Sequence, residues 1–237
     1  MRYFKGFLLG VAVIGSSAAC ASGRLAEPVG ESAADPAELA AELRAATIPA
    51  APLQMSFAWN LDEGGSRVGG RGVVRVEAPE RARLDLFGPR GETYLMAALV
   101  DGEYRLPSSA STNVALPSPA LLWSAIGVLQ PPAAAALASA TTSDDGAELR
   151  FETESREIFA YTFARGVNGR YDLSRLERAG RQGIIETVTI ERGTDGGIRR
   201  TRYRNWAEYR DLTLDLETIR QTDGFEPNIW NPDATSR

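Results

Sequence analysis

From Leu53 onward the chain alternates apolar and polar side chains, and this period of two constrains the fold more than any other feature. In LQMSFAWNL (53–61), Leu53, Met55, Phe57, Trp59 and Leu61 share one face, while Gln54, Ser56, Ala58 and Asn60 share the other. Successive strand residues point to opposite faces, so such a segment is a strand with one face to bury. GVVRVE repeats the pattern with Val74 and Val76, and RARLDLF with Ala82, Leu84 and Leu86 opposite Arg81, Arg83 and Asp85. AELRFET sets Ala147, Leu149 and Phe151 inward, and DLTLDLE does the same with Leu212, Leu214 and Leu216. Further strands are expected at 92–100, 103–106, 157–164, 169–176, 183–191 and 198–204. In 92–100 both faces are apolar, with Tyr94 and Met96 on one and Leu95 and Leu99 on the other, so its phase stays open. Glu63-Gly64-Gly65, Asp101-Gly102, Asp144-Asp145-Gly146, Asn168-Gly169 and Asp195-Gly196-Gly197 supply the turns.

Consecutive strands with one wet face form an antiparallel sheet that curls over its apolar side. Two regions offer to cover it. Asp35 followed by Pro36 and Glu38 reads as a helix N-terminus, with Leu39, Leu43 and Ala46 on one face and Pro49 ending the helix. Later, Ser118 and Pro119 open a second helix whose stripe is Leu122, Trp123 and Ile126, ending at Gly127, and the alanine-rich run 133–140 suggests a third. The expected fold class is therefore α+β: a strongly curved antiparallel sheet of roughly ten to eleven strands, an unclosed half-barrel, covered by an N-terminal helix and a central helical lid.

MRYFKGFLLGVAVIGSSAAC (1–20) has the parts of an export signal: Arg2 and Lys5, an apolar run Phe7–Ile14, then small residues. The run is too short to span a bilayer, which takes about 20 apolar residues. Cys20, the only cysteine, follows Ser17-Ala18-Ala19 and resembles the lipidated cysteine of a bacterial lipobox, although Ser17 stands where leucine is usual. The alternative is a plain signal peptide with an incidental cysteine. On the lipobox reading, residues 1–19 are removed and Cys20 anchors the chain. Residues 20–34 are then a small, polar tether, 35–230 the folded domain and 231–237 a tail. Ala21 and Ser22 after the cysteine, with no aspartate, resemble outer-membrane lipoproteins.

Composition narrows the chemistry. There is no histidine, and the only lysine and cysteine are Lys5 and Cys20 at the leader. Without the leader no Ser-His-Asp triad, Cys-His pair, Schiff base or Cys/His zinc site can be assembled. Paired carboxylates remain chemically open, but the expectation is a protein that is not an enzyme and uses no metal or cofactor. The net charge is −5, and removing Arg2 and Lys5 from 26 basic residues leaves 24 against 31 acidic, or −7. Nucleic acid, which demands a basic footprint, is not an expected partner. Arg192, Arg199, Arg200, Arg202 and Arg204 form a basic run that reads either as a site for anionic headgroups or as a solvated strand face.

Several motifs, in order, resemble the LolA/LolB lipoprotein-carrier family: GGRGVVRVEAP (69–79), LDLFGPRG (84–91), LLWSAIGVLQPP (121–132) and TLDLETIRQTDGFEP (213–227). With the Cys20 anchor, the resemblance implies a LolB-like outer-membrane lipoprotein. It implies that Met55, Phe57, Trp59, Val74, Val76, Leu84, Leu86, Leu122, Trp123 and Ile126 line a cavity for the acyl chains of a lipoprotein or lipid. The residues alone leave a sealed core as the other reading. The turn Phe87-Gly88-Pro89-Arg90-Gly91 resembles a membrane-facing turn of the family, with Phe87, Pro89 and Arg90 at the bilayer. Here Arg90 replaces the leucine usual in LolB-like proteins, and the plain alternative is a solvated turn. Implied partners are the acylated cargo, the membrane and a periplasmic carrier protein, with the chain acting as a monomer.

Overall fold

The computed structural model describes residues 23–109, 116–166 and 169–234. Strands account for most of it. They are β1 (Glu31–Ser32), β2 (Leu53–Glu63), β3 (Ser66–Glu77), β4 (Arg81–Phe87), β5 (Thr93–Val100) and β6 (Glu103–Arg105), then β7 (Ala136–Thr142), β8 (Gly146–Glu152), β9 (Ile158–Arg165), β10 (Tyr171–Gly180), β11 (Gly183–Arg192), β12 (Ile198–Asn205) and β13 (Arg210–Gln221). Helix α1 (Pro36–Thr47) precedes β2, α2 (Pro119–Ala125) precedes β7, and a 3-10 helix closes at Pro227–Trp230. All 13 strands join one antiparallel sheet in the order β1-β7-β8-β9-β10-β11-β12-β13-β2-β3-β4-β5-β6. β1 and β6 stand at its two ends and do not pair, so the sheet is open. The strand number exceeds the expected ten to eleven because β1 and β7 arise where a tether and a helix were expected.

The pairing that joins the two halves is β13 on β2, with Leu212, Leu214 and Leu216 opposite Leu61, Trp59 and Phe57. Paired residues share a face, so the inward stripes of two segments far apart in the chain become continuous. On one side of this seam the inner face is filled. Leu149, Phe159, Tyr161, Phe163, Leu173 and Leu176 pack with Leu43 of α1. Asp35 starts that helix as expected, its Oδ1 accepting from the Ala37 and Glu38 amides at 3.0 and 2.9 Å. At the end of α2, Gly127 adopts φ +85°. Its amide donates to Ser124 O and that of Val128 to Trp123 O, each at 2.9 Å, a Schellman closure.

Three expectations need correction. The alanine run at 133–140 is not helical: Ala136–Thr142 pairs β8 from Ala136↔Glu152 to Thr142↔Ala147. Alanine's helix propensity is worth less than a full ladder of hydrogen bonds. Described residues of the tether are docked rather than free. Gly23 O accepts from the Ile184 amide at 3.0 Å, Ala26 O accepts from Arg150, and Glu31–Ser32 pairs β7. Main-chain pairing needs no side-chain period, so polarity did not announce it. The tail is likewise tied, Asp233 accepting from the Ser108 amide and hydroxyl at 2.7 and 2.9 Å.

The outer face of β4 is not wet either. Arg83 and Asp85 are both buried. The C-terminal segment covers them: Arg83 donates to both Asp85 oxygens at 2.9 and 3.0 Å and to Ile229 O at 2.6 Å, while Arg75 reaches Asp85 at 2.6 Å. Ala98, Val100 and Trp230 pack beside them. This explains why β5 is apolar on both faces. Leu95, Ala97 and Leu99 pair with Leu86, Leu84 and Ala82 and face inward, and Ala98 and Val100 meet the C-terminal cap. A bulge after Leu86 shifts the register, placing Tyr94 with its ring 4.7 Å from Trp59, on the inner side rather than with Met96.

Candidate functional site

On the other side of the seam the inner face is not filled. Between β2–β5, β12–β13 and α2 lies a cavity of about 410 Å³, within the roughly 300–1,000 Å³ range of small-molecule pockets. Of the ten residues expected there, Met55, Phe57, Trp59, Val74, Leu84, Leu86, Leu122 and Ile126 border it. Val76 and Trp123 do not. Val76 sits one inward position beyond Val74, between Leu53 and Ala82, where the strands are packed shut. Leu121, Leu122, Ala125 and Ile126 form the cavity face of α2, and Trp123, about 100° per residue around the helix, turns off it.

The empty space has a local cause in β3. Gly72 lies between Phe57 and Leu86, and a Cβ there would stand 2.4 Å from the Phe57 ring. The ring therefore lies down across β3 instead of standing into the concavity. Trp59 does likewise, its indole N–H lying 3.1 Å from both Arg71 O and Phe87 O. At Gly70 a Cβ would come within 1.9 Å of Phe87 O, so this close approach also demands glycine. Two of the largest side chains are thus spent on the wall, and the middle stays open.

Sequence reasoning missed Leu61, Tyr94, Leu95, Tyr104, Tyr203, Leu212 and Leu214 as wall residues. The alternation of β13 was visible, but nothing local says that it pairs β2. The wall is apolar except at one pole, where Thr201, Tyr203, Arg210, Glu63 and Tyr104 approach. Tyr203 donates to Glu186 at 2.6 Å, Thr201 donates to Ala125 O at 2.9 Å, and Arg210 pairs with Glu63 and with Glu208. Burial, reinforced by Glu186, pushes the Tyr203 phenol above its usual range. A second groove of about 450 Å³ lies on the outer face against Asp62, Arg67, Arg202 and Asp211. Its charged walls make it no shelter for hydrocarbon.

The turn after β4 is held by its main chain and by the Glu92 side chain: the Gly88 amide donates to Glu92 O at 2.8 Å, that of Gly91 to Gly88 O at 3.0 Å, and that of Arg90 to Glu92 Oε2 at 2.9 Å. Pro89 and Arg90 are exposed and Phe87 is half-buried; none of the three borders the cavity. The basic run is a strand face of cross-strand ion pairs. Arg199 meets Glu191 at 2.7 Å, Arg200 meets Asp215 at 2.6 Å, and Arg202 and Arg204 share Asp211. Cys20 lies outside the described residues. Among the described residues no helix is long and apolar enough to cross a membrane.

An open antiparallel sheet wrapped around an apolar cavity is a geometry with known counterparts. A LolA superfamily protein from Nitrosomonas europaea superposes with a TM-score of 0.56 at 11% identity, over 85% of this chain and 99% of the other. A putative outer membrane lipoprotein-sorting protein domain from Vibrio parahaemolyticus gives 0.57 at 13%, over 84% and 97%. The fold is LolA/LolB-like. No protein-family model matches the sequence, and no curated protein matches it. At these identities the likeness concerns backbone only, so the LolA/LolB-like fold here rests on superposition of the backbone rather than on shared side chains.

Proposed function

We propose that this chain is a lipid-anchored protein of the outer membrane, facing the periplasm, that shelters acyl chains of lipoproteins or lipids and helps localise them there. The observation that carries the reading is the unfilled apolar cavity between the sheet and α2. Exposing a sixteen-carbon chain to water costs about 10 kcal/mol at about 0.8 kcal/mol per CH₂, so a transfer protein needs such a shelter. In this mechanism the interface is non-covalent. Helix α2 acts as a lid, acyl chains slide against Leu84, Leu86, Leu122 and Ile126, and Cys20 keeps the domain at the bilayer. Glu63, the only carboxylate on the described wall, is paired with Arg210.

Orientation follows from one end of the sheet. The turn at Phe87–Gly91 shares that end with the β12–β13 hairpin, where Trp206 and Tyr209 are 49% and 79% exposed and Arg204 stacks 5.2 Å from the Trp206 ring. Aromatic rings and arginines together suit the headgroup layer. Native mass spectrometry of the chain released gently from membranes tests the proposal. Co-purified acyl lipid that is lost on substituting Leu84 with tryptophan is the expected result. A lipid-free chain that takes up no fatty acid would leave an envelope scaffold on the same fold. Fatty-acid labelling that survives Cys20→Ser would remove the anchor.

A further inference from the structure

The polar pole of the cavity contains one group whose chemistry is unfinished. Tyr104, on the three-residue edge strand β6, is paired with Leu99 and so points inward. The residue borders the cavity, and its hydroxyl is buried with no hydrogen-bond partner among the described residues. The other buried polar side chains of the pole are already engaged. Tyr203 donates its hydrogen bond to Glu186, which Arg178 also holds at 2.6 Å, and Thr201 donates its own to Ala125 O. Arg210 is held between Glu63 and Glu208. Burial raises the pKa of Tyr104, with Tyr203 and Glu186 adding to the shift, so the phenol keeps its proton and stays a donor. Tyr104 borders the same cavity as Thr201 and Tyr203 of β12, although the sheet order puts five strands between β6 and β12. A buried donor without an acceptor is disfavoured, and native proteins match nearly all such groups with protein, water or ligand.

Resting on the acyl-shelter reading above, we infer that Tyr104 donates a hydrogen bond to the carbonyl oxygen of the bound acyl group, fixing how far the chain enters. The hydrocarbon then runs along Leu84, Leu86 and Leu122, and the carbonyl stops at the pole. A carbonyl fits the site because it accepts without carrying a charge. A free carboxylate would meet the negative charge of Glu186, which already acts on the Tyr104 phenol. The same carbonyl occurs in acyl groups held in ester linkage and in protonated fatty acids, and the probes below separate these sources.

The test is displacement of a fluorescent naphthalene sulfonate from the full chain by decane, methyl decanoate and decanoic acid, with the wild type and Tyr104→Phe side by side. Phenylalanine keeps the ring, so the fold is expected to hold and melting to be unchanged or slightly raised. The proposal expects methyl decanoate to lose about five- to tenfold in affinity in Tyr104→Phe, the factor of one lost hydrogen bond, with decane unmoved. A loss in the ester assigns ester-linked acyl groups, and a loss confined to the acid assigns free fatty acids; either supports the hydrogen bond. If Tyr104→Phe binds all three probes as the wild type does, the hydroxyl serves a water and the inference fails while the acyl shelter stands. If no probe enters either protein, the shelter itself falls.

Discussion

The unfilled half of the inner face makes a specific demand on mutational energetics, which Leu84 and Leu149 isolate. Both are inward leucines of central strands. Leu149 is fully buried in the filled half, whereas Leu84 is half-buried because one side of it borders the cavity. Replacing leucine by alanine removes three carbons, about 2.4 kcal/mol of transfer energy when fully buried, plus a term for the new void. For Leu149 the sum falls at about 3–5 kcal/mol. For Leu84 roughly half the transfer energy is at stake and the void already exists, so the cost is about 1 kcal/mol. Enlarging the residue reverses the contrast. Leu149→Phe overpacks and costs about 1–3 kcal/mol, while Leu84→Phe enters open space and costs nothing or stabilises. Urea unfolding of delipidated protein, followed by tryptophan fluorescence, measures all four. Equal costs for Leu84→Ala and Leu149→Ala, together with an overpacking penalty at Leu84→Phe, would mean that the interior is full and the reasoning wrong.

Three further outcomes are expected. Gly70→Ala forces a Cβ against Phe87 O and is expected to destabilise by about 1–3 kcal/mol and loosen the turn at 88–91, visible as faster amide exchange there. For Asp211, burial acts to raise the pKa, but hydrogen bonds and charge from Arg202 and Arg204 outweigh it and hold the group below its ordinary value. Its contribution is therefore present above about pH 4, the unfolded carboxylate value, and is lost as pH falls through the lower folded value; Asp211→Asn should flatten that acid limb slightly in melting curves, and an unchanged limb would contradict the assignment. Replacing Trp206 and Tyr209 together by serine should weaken sedimentation with vesicles of anionic and zwitterionic lipid without lowering melting temperature, and full retention would place the bilayer elsewhere.

Much of the sheet was legible because alternation is a local property. The inward sets of β2, β3, β4, β8 and β13 follow directly from which residues are apolar at every second position. Helix α1 was legible for a similar reason, since Asp35-Pro36 sets its start within a few residues. The segments at 23–34 and 136–142 were not legible, because they join the sheet through main-chain hydrogen bonds that polar and small residues make as well as any others. The phase of β5 was hidden by a cap arriving from Phe225–Trp230 and by a bulge next to Phe87. For the cavity, eight of the expected wall residues were inward by period alone, but period cannot tell a wall from a plug.

That a one-sided antiparallel sheet would form, and that its chemistry would have to proceed without histidine or an internal lysine, was determined by the order and identity of the residues. Both depend only on neighbours along the chain and on which side chains exist. Whether the apolar face would close on itself or keep a space was decided by tertiary structure. The decision lies in contacts between distant segments: β13 laid against β2, and Phe57 and Trp59 folded flat over the glycines of β3. Packing is a property of three-dimensional shape, and no one-dimensional pattern specifies the volume left over.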